Sequence, residues 1–187
     1  IQNVKFSNLA GFQQNSSSEF LIYGAMNFHS TKVEIDNVQF KNIYSEDALN
    51  VFNSNFSISK TKFKDISSDA VDIDFSNGKI ELSNFENVKN DGIDFSGSDA
   101  IVYDVKFKNI NDKVISVGEK SNIQILKINA QDSFAGIVSK DGSNVFSKDI
   151  IFNRVKIPFA AYQKKFEYGY GSLIVKKYDI ENFHTKW

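Results

Sequence analysis

The sequence predicts an all-β protein whose chain coils into a parallel β-helix, or β-solenoid. Three features lead to this prediction: a composition with 18 Phe but one Pro and one Met, a motif that returns every 22 or 23 residues, and alternation of apolar and polar residues within each copy. Phe, Ile and Val suit pleated, half-buried strands, whereas no 3.6-residue period indicates a helix. We therefore expect strands throughout the chain.

The first repeated motif is centred on a phenylalanine that is followed, two residues later, by Asn or Asp. Its clear copies are Val38–Ile43, Thr61–Ile66, Ser83–Val88 and Val105–Ile110, with an earlier copy at Val4–Leu9 and a later one around Phe152. Fixed self-similarity at this period is typical of solenoids. We count about eight copies of about 22 residues each.

A second motif runs in step with the first and alternates small, apolar and polar residues. Its copies are Asp47–Val51, Asp69–Ile73, Asp91–Phe95 and Lys113–Val117, with looser copies at Gly136–Ser139 and Ala160–Tyr162. Two or three such runs in each copy, separated by Asn, Asp, Ser or Gly, describe one coil of a parallel β-helix. Successive coils would stack about 4.8 Å apart, which gives a rod of about 40 Å.

Stacked coils place equivalent residues in columns along the rod. We expect an aromatic column in the core from Phe6, Phe40, Phe63, Phe85, Phe107 and Phe152. A parallel aliphatic column would contain Leu49, Val71, Ile93, Ile115 and Ile137. Asn8, Asn42, Asp65, Asn87 and Asn109 would form a hydrogen-bonded ladder at a turn.

Size and composition fit one domain, residues 1–187, with a sizeable core. We expect residues 1–29 to form an irregular first coil or N-terminal cap and residues 160–187 to form irregular last coils or a C-terminal cap. The chain starts at Ile1, so we expect a piece of a longer or processed protein, with further domains as partners. A net charge of −1 disfavours nucleic acid, and no apolar stretch is long enough for membrane insertion.

The phased motifs 68–75, 90–98 and 112–121 resemble the repeats of right-handed parallel β-helix proteins of the pectin-lyase-like superfamily. The resemblance covers about residues 30 to 180. It implies a right-handed coil and a frequent role on extracellular or cell-surface polysaccharide as a lyase, hydrolase, epimerase or adhesin. The repeat specifies the fold much more than the activity.

Three aspartates are predicted to point outward from one face of the rod. Because Val71, Ile73 and Phe75 are expected to face inward, Asp72 and Asp74 would face solvent, as would Asp94 on the next coil. Like charges this close need a cation, a shared proton or water between them. Asp72, Asp74 and Asp94 are therefore candidate ligands for Ca²⁺, the cofactor that this interpretation considers.

The same face continues towards basic and aromatic residues. We expect Glu119, Lys120, Tyr162, Gln163, Lys164 and Lys165 to contact the substrate. Tyrosine and lysine side chains suit the pyranose rings and carboxylates of an acidic polysaccharide. The alternative for the segment from Ala160 to Gly171 is a loop or cap that covers the last coils.

Two enzymatic interpretations use Asp72, Asp94 and Lys140 as catalytic residues. Glycoside hydrolysis needs two carboxyl groups a few ångströms apart. The β-helix hydrolases that this arrangement resembles carry Asn-Thr-Asp, Gly-His-Gly and Arg-Ile-Lys motifs that are missing from this sequence. A lyase would instead use Ca²⁺ and a base, for which Lys140 or Tyr162 is available because Arg154, the single arginine, falls on another face.

The sequence thus leaves two function classes open. The first is an extracellular carbohydrate-active or carbohydrate-binding module with a charged lateral face. The second is a noncatalytic structural or adhesin rod, in which Asp72, Asp74 and Asp94 only solvate the surface. Asp47, Asp69 and Asp91 precede Ala or Gly where strands begin, and we expect them to cap turns.

Overall fold

The computed structural model describes residues 1–11 and 23–181 and shows a parallel β-solenoid of about six turns. The all-β fold class is confirmed, but the eight coils counted from the sequence are too many. A complete turn lies between two copies, so eight copies bound seven turns. The first copy is followed by residues 12–22, which lie outside the described residues.

The described chain contains strands that all pair in parallel. These are β1 (Lys5–Ala10), β2 (Gly24–His29), β3 (Lys32–Asp36), β4 (Gln39–Tyr44), β5 (Asp47–Phe52), β6 (Asn55–Ser59), β7 (Lys62–Ile66), β8 (Asp69–Asp74), β9 (Asn77–Glu81), β10 (Asn84–Val88), β11 (Ile93–Ser96), β12 (Asp99–Ile110), β13 (Lys113–Gly118), β14 (Asn122–Lys140), β15 (Asn144–Tyr162) and β16 (Ser172–Glu181).

The strands stack in three ladders, which form three faces. The Phe face contains β1, β4, β7 and β10 and continues through β12, β14, β15 and β16. The Asp face contains β2, β5, β8, β11 and β13 and continues through the ends of β14 and β15. The third face contains β3, β6 and β9 and the first parts of the four last strands of the Phe face.

The predicted core columns are largely confirmed. Ring centroids in the aromatic column are 4.8 to 5.4 Å apart from Phe6 to Phe107. Phe152 lies in the same column but does not stack on Phe107, because Ala130 takes the position between them. The aliphatic column from Leu49 to Ile137 is in register and fully buried.

The corners of the solenoid use left-handed backbone conformations. The predicted Asn ladder lies at one corner, where Asn8, Asn42, Asp65, Asn87 and Asn109 all have φ between 54° and 58°. Asn42 donates to Asn8, Asn87 to Asp65 and Asn109 to Asn87 over 2.7 to 3.0 Å. Asn and Asp tolerate this conformation better than other residues with a side chain, which explains their recurrence.

A second ladder of buried serines follows the corner between the Asp face and the third face. Each Ser Oγ accepts a hydrogen bond from the backbone N–H one coil earlier, over 2.9 to 3.2 Å. The acceptors are Ser54, Ser76, Ser98, Ser121 and Ser143. These serines satisfy backbone groups that are buried between coils.

The ends of the described chain are more regular than expected. Strands β1 and β2 pair with β4 and β5, and β16 pairs with β15. The irregular segment near the C-terminus spans 163–171, while residues 182–187 lie outside the described part. Within residues 1–11 and 23–181 we find no helix with the length and hydropathy of a membrane span.

Candidate functional site

The predicted carboxylates Asp72 and Asp94 lie in register on neighbouring strands of the Asp face. Asn50 takes the same position one coil earlier, and its Nδ2 donates to Asp72 Oδ2 at 3.0 Å. Asp74 lies two residues further along β8, on the same side as Asp72. The structure therefore brings all three predicted aspartates together, although each is half-buried rather than fully solvated.

A second column of aspartates, Asp47, Asp69 and Asp91, runs beside the first. Asp69 Oδ1 accepts the Asp91 backbone N–H at 2.7 Å, and Asp91 Oδ1 accepts the Lys113 backbone N–H at 2.9 Å. Asp69 and Asp91 thus bind backbone groups of the next coil, which is a structural role but differs from the predicted capping of their own turns. Asp47 and Asp91 are buried, at 2% and 3% exposure, so this column adds further buried carboxyl groups beside the first column.

Burial and mutual repulsion raise the pKa values of several carboxyl groups on the Asp face. Burial, followed by the charges of Asp74, Asp47 and the other neighbours, raises the pKa of Asp72 to about 10. Burial also raises the pKa of Asp47 to about 8 and that of Asp91 to about 7. The pKa of Asp74 is raised by burial and then by the Asp94 charge. At neutral pH we therefore expect Asp72 and Asp47 to keep a proton and to be able to donate a hydrogen bond.

Lys140, the predicted catalytic lysine, reaches the aspartate cluster from two coils away. Its Nζ lies 3.8 Å from Asp94 Oδ1, and both side chains are mostly buried. The Lys140 side chain passes over Gly118, where an added Cβ would lie 2.8 Å from the Lys140 Cε. Glycine at position 118 therefore leaves the space through which the lysine reaches Asp94.

Three of the predicted substrate contacts, Glu119, Lys120 and Lys165, lie together at the corner of the Asp face. Glu119 pairs with Lys165 and lies 3.5 Å from the Tyr168 hydroxyl. The Lys120 ammonium group lies 5.8 Å from the centre of the Tyr168 ring. Because Lys165 is paired with the Glu119 carboxylate, its positive charge is partly neutralised within the protein.

The segment 163–171 folds back onto this corner as a lateral loop. Asp141 Oδ1 accepts the backbone N–H groups of Lys164 and Lys165, both at 2.6 Å. Gln163 Nε2 donates to the Phe166 carbonyl at 2.9 Å, so its side chain stabilises the loop. Tyr162 pairs with Lys140 in register and is 39% exposed. Three of the predicted contact residues, Gln163, Lys164 and Lys165, thus belong to the predicted loop.

The calcium prediction gains no support from the geometry. Within the described residues, no three or more His, Asp or Glu side chains are grouped in a way that could hold a metal ion. Calcium needs several oxygen ligands at 2.3 to 2.6 Å, so shared face and register are not sufficient. Metal binding by Asp72, Asp74 and Asp94 remains a prediction.

An aromatic group that the sequence did not predict lies next to the carboxyl groups. Phe75 was assigned to the core but is 52% exposed at the corner after β8. Its ring meets Phe52 edge-on at 5.6 Å, and Phe52 stacks on His29 at 4.5 Å. Phe52 and Asp74 are register partners, which places the group directly beside the acidic cluster.

Comparison with known proteins does not assign the chain to a family. No protein-family model, no curated protein and no solved structure matches the chain. The parallel β-solenoid is shown by its strand pairing, whereas the resemblance to the pectin-lyase-like superfamily remains a prediction.

Proposed function

We propose that this protein binds a polysaccharide along the Asp face and cleaves a glycosidic bond there. The observation that carries the proposal is the pair Asp72 and Asp94. The two carboxyl groups are in register on adjacent strands, burial raises the pKa of Asp72, and Asp94 faces the Lys140 ammonium group. A buried carboxyl group with a raised pKa next to a second carboxyl group is a common arrangement at acid–base sites.

The pair fits the chemistry of glycoside hydrolysis. Asp72 would donate its proton to the leaving oxygen as the glycosidic bond breaks, while the Asp94 carboxylate bonds to the anomeric carbon. Water, deprotonated by Asp72, would then displace Asp94 and release the sugar. Neighbouring strands lie about 4.8 Å apart, close to the separation of about 5 Å between the carboxyl groups of retaining enzymes. Lys140 would orient Asp94 and balance its charge.

Elimination is the weaker alternative. A lyase needs a free base to remove a proton, but Lys140 is engaged with Asp94. Tyr162 lies next to Lys140 in register and is the remaining candidate base. Hydrolysis uses the acidic cluster directly, so we favour it.

We also propose the family and the location that the sequence predicts. Membership of the pectin-lyase-like superfamily, with an extracellular or cell-surface site of action, is supported by the repeat motifs and by the solenoid that they form. Repeated strands suit an extended polymer because each coil presents an equivalent position to the next stretch of ligand.

The test is retention and turnover on a panel of neutral, amino and uronate polysaccharides, with and without Ca²⁺. New reducing ends would indicate hydrolysis, and absorbance of an unsaturated uronate would indicate elimination. We expect Asp94→Asn and Asp72→Asn to lose turnover, each by about a hundredfold or more. Asp104→Asn is the matched control, because Asp104 pairs with Lys127 on another part of the surface.

Two outcomes would overturn the proposal. Turnover that survives both substitutions would remove the carboxyl pair from the chemistry. A lack of retention on every glycan would favour the noncatalytic rod, whose continuous core and side-chain ladders need no ligand.

A further inference from the structure

Phe75 has a backbone conformation that is unfavourable for its side chain. Its φ is 48°, in the left-handed region, where a bulky residue is an outlier. The equivalent corner positions in neighbouring coils are Asn53 and Gly97, both of which suit this region. Phe75 is the sole aromatic residue with positive φ in the described parts of the chain.

The ring of Phe75 is held in place while its outer surface stays exposed. A Cβ on Gly97 would lie 2.6 and 2.7 Å from two carbons of the ring, so the ring occupies the space that a side chain at 97 would need. The edge contact with Phe52 fixes the ring from the other side. The left-handed backbone at Phe75 and the absence of a side chain at Gly97 together keep an aromatic surface exposed to solvent.

The side chains next to this aromatic surface carry carboxyl groups. Asp74 directly precedes Phe75, and Asp72 lies two residues further back on the same face. Both carboxyl groups have raised pKa values caused by burial. Lys140, the lysine that reaches the cluster, is already paired with Asp94. The carboxylate of a uronate would therefore lie beside the carboxyl groups of Asp72 and Asp74, while the nearby Lys140 is already paired.

We propose that Phe75, supported by Phe52, is a stacking platform for an uncharged pyranose ring of the polysaccharide. The C–H groups of such a ring pack on the aromatic face, while the adjacent carboxyl groups of Asp72 and Asp74 form hydrogen bonds with its hydroxyl groups. The inference rests on the proposed function and specifies its substrate class: a polymer with neutral sugar units at this end of the Asp face.

The decisive variant is Phe75→Asn, because it separates binding from folding. Asn tolerates left-handed backbone, as it does at Asn53, so the variant should be at least as stable as the wild type. We expect its affinity for the neutral glycan that the wild type retains best to fall about fivefold to tenfold. Phe75→Trp should keep the affinity, because it keeps an aromatic face.

Leu82→Asn is the matched control. Leu82 is also an exposed apolar residue with left-handed backbone, with φ of 53° and 45% exposure, but it lies at the corner between β9 and β10. The substitution should improve the backbone in the same way and leave glycan affinity unchanged. Thermal unfolding of all three variants checks that each is folded.

The outcomes separate this inference from the proposed function. If Phe75→Asn binds as tightly as the wild type while Asp94→Asn still abolishes turnover, the platform is wrong and the site stands. If the wild type prefers a uronate polymer and Phe75→Asn weakens that binding, the neutral class is wrong. If no glycan of the panel binds, the proposed function fails and this inference fails with it.

Discussion

Asn50 and Asp72 occupy the same register position on neighbouring coils, and the Asn50 amide donates to the Asp72 carboxyl group at 3.0 Å. The fold therefore accepts either a neutral amide or a carboxyl group at this position. The carboxyl group at 72 costs stability, because burial and neighbouring charges oppose its ionisation. A residue that is unfavourable for folding but tolerated by the architecture is a good candidate for a functional one.

We predict that Asp72→Asn stabilises the protein at pH 8 and has little effect at pH 4. At pH 8 the native state retains a proton on Asp72, whereas the unfolded chain has lost it, so folding requires proton uptake. Asn removes this cost, which we place on the order of 1–3 kcal/mol. Chemical denaturation at both pH values measures the difference, with Asp104→Asn as the control. Equal stability of wild type and Asp72→Asn at pH 8 would contradict the proposed protonation.

The wild-type protein should lose stability as the pH rises from about 5 to about 8.5. The folded-state pKa values of Asp69, Asp91 and Asp47 are raised to about 6, 7 and 8, so the native state binds more protons than the unfolded state throughout this range. The slope of unfolding free energy with pH is therefore negative there.

At lower pH the direction reverses. The pKa values of Glu86 and Asp132 are lowered by hydrogen bonds from Lys64 and Arg154, so their contribution is lost as the pH falls below about 4. Urea denaturation at pH 3, 5 and 8.5 should find the highest stability at pH 5. A continuous rise in stability up to pH 8.5 would show that the cluster is ionised in the native state.

Ser76→Ala tests the buried serine ladder. Ser76 Oγ accepts the Ser54 N–H at 2.9 Å and donates to the Asp74 carbonyl at 2.7 Å. Loss of the acceptor leaves a buried N–H without a partner, which we expect to cost about 1–3 kcal/mol. Ser57→Ala, on the half-buried outer side of β6, should change stability by less than about 0.5 kcal/mol. Equal effects of the two substitutions would show that the ladder is replaceable by water.

Phe63→Ala tests the aromatic column. Phe63 is fully buried between Phe40 and Phe85, with ring centroids 4.9 and 4.8 Å away. Removal of the ring should cost about 3–5 kcal/mol and lower the unfolding midpoint accordingly. Phe166→Ala, at a position that is 90% exposed, provides the control and should have little effect. A small effect at Phe63 would mean that the column rearranges to fill the space.

The sequence predicted the columns well because the repeat is in phase with the structure. Every 22 or 23 residues the same side chain returns to the same wall of the core, so Phe40 and Phe63 could be aligned without coordinates. The interruption at Ala130 could not be found, because this coil lacks the phenylalanine that marks the others. The alternation of apolar and polar residues also correctly predicted that Asp72 and Asp94 lie on one face.

The corner residues were less predictable, since alternation fails where the backbone turns. Phe75 follows the inward residues Val71 and Ile73 at even spacing, which predicts a core position. The left-handed conformation at the corner instead turns its side chain outward. Lys140 was correctly placed on the Asp face, but its reach across Gly118 to Asp94 depends on side-chain conformation, which no sequence period encodes.

The most direct test of the central claim is a crystal structure of the chain with an oligosaccharide from the best-retained polymer. We predict that the sugar lies along the Asp face, with one uncharged ring on Phe75 and a glycosidic oxygen within hydrogen-bond distance of Asp72. A sugar bound on the Phe face or the third face, away from both residues, would contradict the account.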